Sequence, residues 1–205
     1  TQLRLIYNKH RYLSDHELKK INSKDKIVFS HNQNINKVID NGLRVSVDLI
    51  RDNSIIAYCA KKNTPILKFN KINMHKISDY WFSMRANKKH IVIKKNKFYI
   101  LKSKEKIRIP NFLAGEMIPY DTGIGDFRAH YAGFFDPGFG EKKGSYAVLE
   151  VKTNELPFLI EDGQTIARIK YEKLNKISKV VYGTDIYSNY QNQGLKLSKH
   201  FRKDE

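Results

Sequence analysis

Between Phe127 and Val151 the sequence leaves the chain little conformational choice. Phe127-Arg128-Ala129-His130-Tyr131-Ala132-Gly133-Phe134-Phe135 runs into Asp136-Pro137-Gly138-Phe139-Gly140, and Ser145-Tyr146-Ala147-Val148-Leu149-Glu150-Val151 follows. Proline has no amide donor and glycine admits positive φ, so no helix passes through Asp-Pro-Gly. The flanks therefore read as strands, and the aromatic and branched residues of 145–151 suit a pleated surface. Glu150 stands alone as an acid inside the second run. A carboxylate among apolar neighbours has to be paired, neutralised or put to use.

The rest of the chain repeats the pattern of short strands and turns. Ser14-Asp15-His16-Glu17 is a capping box that opens a helix over 15–22, with Leu18 and Ile21 as its apolar face. A strand is expected at Lys26–Ser30 and a helical turn at Asn34–Asp40, ending at Asn41-Gly42. Leu43-Arg44-Val45-Ser46-Val47-Asp48-Leu49 alternates apolar and polar residues, the period of a half-buried strand. Short strands are expected at Ser54–Lys61, Pro65–Asn70 and Lys106–Pro110, and a hairpin about Asn96 joins His90–Lys94 to Lys97–Lys102. Ile77–Met84, with the only tryptophan, Trp81, fits strand and helix equally. Many short strands with few helices mark an all-β sandwich or barrel with minor α content.

Composition bounds the function classes. Hydrophobic residues at 40% and aromatics at 12% exclude a wholly disordered chain. The net charge of +17 implies polyanionic company, whether nucleotide phosphates, nucleic acid or an acidic surface. An AT-rich genome, which favours Lys, Asn and Ile, accounts for the same charge. The single cysteine, Cys59, lies in an apolar run, reads as core, and fits a reducing cytoplasm. No apolar stretch is long enough to span a bilayer as a helix, and no secretory pattern is present.

Three motifs in order resemble one family. Gly133-Phe134-Phe135-Asp136-Pro137-Gly138-Phe139 with Val148-Leu149-Glu150 resembles the central motif of the dCTP deaminase branch of the dUTPase superfamily. Pro157 to Ile169 resembles that family's Gly-centred strand pair, and Tyr190-Gln191-Asn192-Gln193-Gly194-Leu195-Lys196-Leu197-Ser198-Lys199 its C-terminal nucleotide-closing segment. The resemblance covers roughly residues 93–200. It implies a distorted jelly-roll, or β-clip barrel, of the dUTPase type with a short N-terminal helix. It also implies a homotrimer or pseudo-symmetric oligomer with sites at subunit boundaries, a bacterial cytoplasmic enzyme, and neither membrane nor nucleic acid as partner. The chain reads as one such domain over 1–205, with an N-terminal arm at 1–25 and a closing tail at 186–205. Thr1 opens directly into patterned sequence, and the resemblance implies the second half of a longer, duplicated deaminase.

The same resemblance assigns roles. Glu150 is the general acid/base of a zinc-independent deamination of dCTP to dUTP and ammonia. His130 and Thr122 place the water. Asp136 marks the deoxyribose pocket, with Tyr131 or Phe134 against the sugar. Arg128, Gln193, Lys196 and Lys199 face the triphosphate, and Ala132 and Tyr190 join them in substrate binding. Gly194 lets the tail approach the ligand, and Mg²⁺ arrives with the phosphates of dCTP, dUTP or dTTP. One carboxylate can serve as both acid and base when its pKa lies near the working pH. The family's Arg-Ser-Ser-x-x-(small)-Arg block is replaced here by Glu116 to Gly125. Thr122 then stands in for the serine, Gly123 and Gly125 offer amides, and Arg128 replaces a lost arginine. Zinc deaminases require His-x-Glu and Pro-Cys-x-x-Cys. Neither occurs, and histidines at 10, 16, 31, 75, 90, 130 and 200 show no zinc spacing, so zinc chemistry is excluded.

Each assignment has a structural counterpart. Glu150 can be an ion-paired carboxylate, held for instance by Arg128. His130 can be a strand-edge histidine, Asp136 a turn residue, and Lys196 and Lys199 a solvated tail. Three other functions share the features. A dUTP diphosphatase, alone or joined to the deaminase, would use Asp136 at the α-phosphate. A non-catalytic regulatory half would bind nucleotide without turnover. A basic nucleic-acid module would need aromatics such as Phe98 and Tyr99 interleaved with lysines on one exposed face.

Overall fold

The computed structural model describes residues 12–29, 34–50, 54–85, 89–119, 127–129, 133–141, 143–153, 156–177, 180–183 and 194–202, with backbone alone at 119 and 127–129. Ser14 caps helix α1 (Asp15–Lys24) as the sequence demands. Its Oγ accepts the Glu17 amide, and the Glu17 carboxylate accepts the Ser14 amide at 2.8 Å. The hydrogen bonds from the Ser14 side chain and backbone hold the Glu17 carboxyl below its ordinary pKa. Two one-turn helices follow, α2 (Ile35–Val38), capped by Asn34, and α3 (Ile77–Tyr80).

The strands are β1 (Val28–Phe29), β2 (Leu43–Ser46), β3 (Ile55–Ala60), β4 (Trp81–Arg85), β5 (His90–Ile93) and β6 (Phe98–Ile107). They continue with β7 (Leu113–Pro119), β8 (Phe127–Ala129), β9 (Phe134–Phe135), β10 (Ser145–Thr153), β11 (Phe158–Glu161) and β12 (Thr165–Lys173). Among the described residues, all the strand pairings are antiparallel. The central sheet runs β4-β3-β6-β10-β8, with β1 also on β6; a second runs β2-β12-β7-β9, and β11 pairs β5 in a third. The fold is all-β with minor helix, as the sequence pattern requires.

Strand periodicity gives the central sheet two faces. On β10, Ala147, Leu149 and Val151 enter the main core, with Tyr99 and Leu101 of β6 and Cys59 of β3. The intervening Val148 and Ile100, with Phe98 and Tyr58, point the other way and join a separate cluster with Tyr80, Trp81, Leu197 and Phe201. Burying each of these large side chains is worth about 1.5–3 kcal/mol. Two irregular segments cover this outer face, residues 61–76 and 194–202. They are zipped together by Asn73 N to Lys199 O at 3.0 Å, His75 N to His200 O at 3.1 Å and Arg202 N to His75 O at 2.9 Å.

Several sequence expectations change against this frame. Pro65–Asn70 forms no strand; Ile66 and Phe69 are exposed, and the segment serves as part of that cover. The hairpin about Asn96 is absent, because β5 pairs β11 while β6 lies between β3 and β10. Asn96 does turn the chain, at φ 54°, but the turn passes between sheets. The Pro157–Ile169 strands are likewise not partners: β11 joins β5, and β12 joins β2 and β7. Lys106 and Ile107 end the long β6 rather than start a new strand. Ile77–Met84 is helix and strand in succession, α3 then β4. In β2 the expected polar-out Ser46 is buried, because its N and Oγ bond the buried Glu105 carboxylate at 2.8 and 2.6 Å.

Candidate active site

The Asp136-Pro137-Gly138-Phe139 stretch makes the turn its composition dictates. Phe139 N donates to Asp136 O at 3.1 Å, with Pro137 at the second position and Gly138 at φ 98°, the pattern of a type II turn. A Cβ on Gly138 would stand 2.2 Å from Val181 Cγ1, so the position is closed to other residues. The turn returns the chain through Gly144 into β10, and the two-residue period then fixes where Glu150 faces. Odd-numbered neighbours enter the main core, so Glu150, half-buried and across from Ile100 of β6, faces the outer cavity.

That cavity has a volume of about 500 Å³. Its floor is the central sheet, with Phe98, Ile100, Val148 and Glu150; Met117 and Gly133 form the side toward the second sheet. Gly133 is fixed there by its carbonyl, which accepts Met117 N at 2.7 Å, and a Cβ on it would lie 2.6 Å from Met117 Cβ. The cover supplies Lys61, Thr64 and Leu67 on one side and Lys196, Leu197, Ser198 and Phe201 on the other. Trp81 anchors the aromatic wall, its ring centroid 6.2 Å from both Phe98 and Phe201 and 6.4 Å from Tyr58. Its indole N–H is buried and meets no acceptor among the described residues, a donor that a ligand or ordered water can satisfy. Among the described residues the site thus combines apolar and aromatic walls with one carboxylate and two cations, Lys61 and Lys196. Lys61 is already engaged, its Nζ 2.5 Å from Ser78 O and 4.7 Å from the Phe82 ring centroid.

Of the sequence-designated residues, Glu150 and Lys196 meet in this cavity. Lys199 is exposed and lines an adjoining cavity instead. Asp136 does not line the Glu150 cavity; its side chain is solvent-exposed, yet crowding by the chain desolvates the carboxyl and raises its pKa. Arg128 is placed by its backbone on β8, paired with Lys152 two residues beyond Glu150. Gly194 has no described atom within 4 Å of where a Cβ would be, so nothing among the described residues requires glycine there. Thr122, His130, Tyr131, Ala132, Tyr190 and Gln193 lie outside the described residues. Sequence reasoning missed Lys61, Trp81, Phe98 and Phe201. The one available signal was period: Phe98, like Glu150, is even-numbered on its strand and occupies the outer face.

Residues 14–201 match the family model described as 2'-deoxycytidine 5'-triphosphate deaminase (DCD), C-terminal domain. The crystal structure of 2'-deoxycytidine 5'-triphosphate deaminase from Agrobacterium tumefaciens is similar, with a TM-score of 0.75 and 37% identity over 86% of this chain and 52% of that one. The chain therefore spans about half the length of that relative. Staphylococcus bacteriophage 80alpha dUTPase with dUPNHPP is a distant likeness at TM-score 0.36 and 14% identity, over 70% of this chain and 96% of that one, and carries no argument. No curated protein sequence matches the chain.

Proposed function

The chain belongs to the family of the 2'-deoxycytidine 5'-triphosphate deaminase C-terminal domain, and on that footing we propose that its Glu150 cavity binds a deoxycytidine nucleotide and hydrolyses the 4-amino group. The placing of Glu150 supports this reading: a half-buried carboxylate directed into a cavity of about 500 Å³ with aromatic walls and Lys196 at its cover. Such a volume lies in the range of about 300–1,000 Å³ usual for small-ligand sites.

In the proposed reaction Glu150 takes a proton from water as the water oxygen adds to C4, and delivers that proton to N3. The remaining hydroxyl proton passes through the same carboxylate to the 4-amino group. The C4–N bond then breaks, ammonia leaves with the bonding pair, and the ring is left as uracil. dCTP and water thus give dUTP and ammonia. The aromatic wall holds the base and excludes bulk water, while Lys196 faces phosphate. Thr122 and His130 are proposed to orient the water, and Arg128 and Gln193 to add phosphate contacts, on the strength of the motifs. Among the described residues no three His, Cys, Asp or Glu side chains group to hold a metal ion. Mg²⁺ enters the proposal as the counter-ion of the triphosphate. Assembly as a trimer belongs to the same proposal. Among the described residues no helix is long and apolar enough to cross a membrane.

A second reading rests on one observation, that the chain covers 52% of the Agrobacterium deaminase: it is a nucleotide-binding half whose role is regulatory. The diphosphatase reading has less support, because Asp136, which it requires at the reacting phosphate, does not line the Glu150 cavity. One experiment separates the three. Ammonia and nucleotide products are measured from dCTP and from dUTP with Mg²⁺, wild type beside Glu150→Gln. Deamination predicts ammonia from dCTP that falls by about 10²–10⁴-fold in the variant. Pyrophosphate from dUTP without ammonia moves the assignment to the diphosphatase, and nucleotide binding without any product moves it to the regulatory half.

A further inference from the structure

Of the described residues that line the Glu150 cavity, Trp81 alone has a buried side-chain atom that meets no hydrogen-bond partner, its indole Nε1. An indole N–H donates and cannot accept, so only an acceptor satisfies it. Buried donors left unmet are rare, because they give up the bond that water supplied and gain none in return. The ring is not free to turn its N–H elsewhere. Trp81 opens β4 opposite Ala60 of β3, and three rings stand around it, Tyr58 at 70°, Phe201 at 78° and Phe98 at 50°. Rotating the indole would break these contacts together. The remaining side of the wall is the cavity of about 500 Å³, so the acceptor has to arrive with the cavity's occupant.

The chemistry of that occupant names the acceptor. Cytosine carries two ring acceptors, N3 and O2. In the reaction proposed above, Glu150 serves N3 and the 4-amino group, which leaves O2 to be met by another donor. Between aromatic walls O2 has lost its water, and a carbonyl desolvated without a donor weakens binding. An indole N–H suits the place because it carries no titrating proton and stays out of the proton traffic at N3 and C4. O2 lies beside the glycosidic nitrogen in cytosine and uracil alike, whereas purines have no carbonyl at that position. A donor fixed there therefore selects pyrimidines as a class.

We propose that Trp81 is a specificity-determining residue of the Glu150 cavity, its Nε1–H donating to O2 of a pyrimidine nucleotide. The assignment rests on the nucleotide reading above. Because O2 persists from substrate to product, the bond holds both alike, and Trp81 acts on binding rather than on the chemical step.

Trp81 is the only tryptophan, so the protein gives a single indole N–H resonance, and dCTP titrated into the full chain carrying Glu150→Gln should shift it downfield. The second measurement replaces Trp81 by β-(3-benzothienyl)alanine, which keeps the fused ring and removes only the N–H. Affinities for dCTP and for dUTP should each fall about tenfold through loss of one buried hydrogen bond. With Glu150 intact, KM should rise while kcat holds, and the Tm of the ligand-free protein should not fall, since an unmet donor has been removed. A cycle with 2-thio-dCTP, whose sulfur is a weaker acceptor, fixes the atom. The wild type should bind it about tenfold more weakly than dCTP, and the benzothienyl protein should no longer distinguish the two. If the two losses simply add, the N–H meets some acceptor other than O2, and the assignment falls. It falls likewise if dCTP binds both proteins equally and leaves the indole resonance unmoved, or if the ligand-free Tm drops with no change in dCTP affinity, which marks a purely structural bond. A chain that binds neither dCTP nor dUTP, in either form, overturns the nucleotide reading itself and the assignment with it.

Discussion

Phe201→Ala should detach the cover of the candidate site without melting the molecule. Phe201 is 8% exposed and packs its ring 5.4 Å from Tyr80, 6.2 Å from Trp81 and 6.5 Å from His75. Removing a buried phenylalanine side chain costs about 3–5 kcal/mol. The 194–202 segment keeps Leu197 and Leu195, the backbone bonds to residues 73–75, the Arg202 Nε bond to Met74 O at 3.2 Å, and His200 with its bond to Phe69 O at 3.1 Å. Each such bond is worth about 0.5–1.5 kcal/mol net, so the lost ring exceeds any two of them. The main core lies on the opposite face of the central sheet and keeps its packing. Local opening is therefore expected to become about 100-fold more populated, a change of about 3 kcal/mol. Native-state hydrogen exchange reads it directly: the amides of Asn73, His75 and Arg202, whose partners cross between the two segments, should exchange about 100-fold faster. Core amides of β6 and β10 should hold their protection, and nucleotide affinity should drop with the cover. Were Phe201 part of one cooperative unit, Tm would fall by about 6–20 °C instead, since each kcal/mol shifts a domain of this size by about 2–4 °C. A Tm drop of that size with no selective change at Asn73, His75 and Arg202 would refute the two-face account.

Other expectations follow from the same geometry. Gly133→Ala places a Cβ 2.6 Å from Met117 Cβ; it should push Met117 into the cavity, weakening nucleotide binding more than it lowers Tm, as calorimetry and a thermal melt will show together. Gly138→Ala meets both φ 98° and Val181 Cγ1 at 2.2 Å, and should cost about 2 kcal/mol or more in urea unfolding, at least the left-handed penalty of about 1–2 kcal/mol. Burial raises the phenol pKa of Tyr171 and Tyr58, and pushes that of Tyr99 up to about 12. Above the unfolded value near 10 the unfolded chain releases protons that the folded one keeps, so stability is intact below about pH 10 and declines as pH rises toward 12. Urea midpoints at pH 9, 10 and 11 should fall progressively, and Tyr99→Phe should flatten the fall; a constant midpoint would contradict the burial of these rings.

Local chemistry was readable from the sequence wherever one or two residues decide the backbone. The Ser14–Glu17 box and the Asp136-Pro137-Gly138 turn each follow from a side chain's own donors, acceptors or φ limits, and each is present. Partner choice was not readable. Asn96 and Gly163 announce turns, but a turn that joins two strands of one sheet and one that passes the chain between sheets use the same left-handed residue; here both pass between sheets. Pro65–Asn70 has strand-like composition yet joins no sheet, and its contacts with His200 hold it in the cover instead. At the site, Glu150 was legible because an acid in an apolar strand is conspicuous. Lys196 was legible only through the motif, among many lysines. Lys61, Trp81 and Phe98 were not, because an aromatic on a strand looks the same whether it fills a core or walls a cavity.

The division of the central sheet explains why a carboxylate can sit in it at all. A strand buried on both faces would strand Glu150 in the main core, where ionisation costs several kcal/mol unless it is fully paired. By period alone, Glu150 instead shares its face with Val148, Ile100 and Tyr58, under a cover made of irregular chain. That cover meets the sheet through one cluster rich in aromatics and through the bonds of Lys61 and His75 to residues 78–80, while backbone bonds tie its own two segments together. The face that stabilises the protein and the face that carries Glu150 are thus the two sides of the same strands. Shifting β10 by one residue in register would exchange them, burying Glu150 and exposing Leu149. The pairing of Glu150 with Ile100 and of Val151 with both Tyr99 and Ala129 is therefore as much a part of the site as the carboxylate itself.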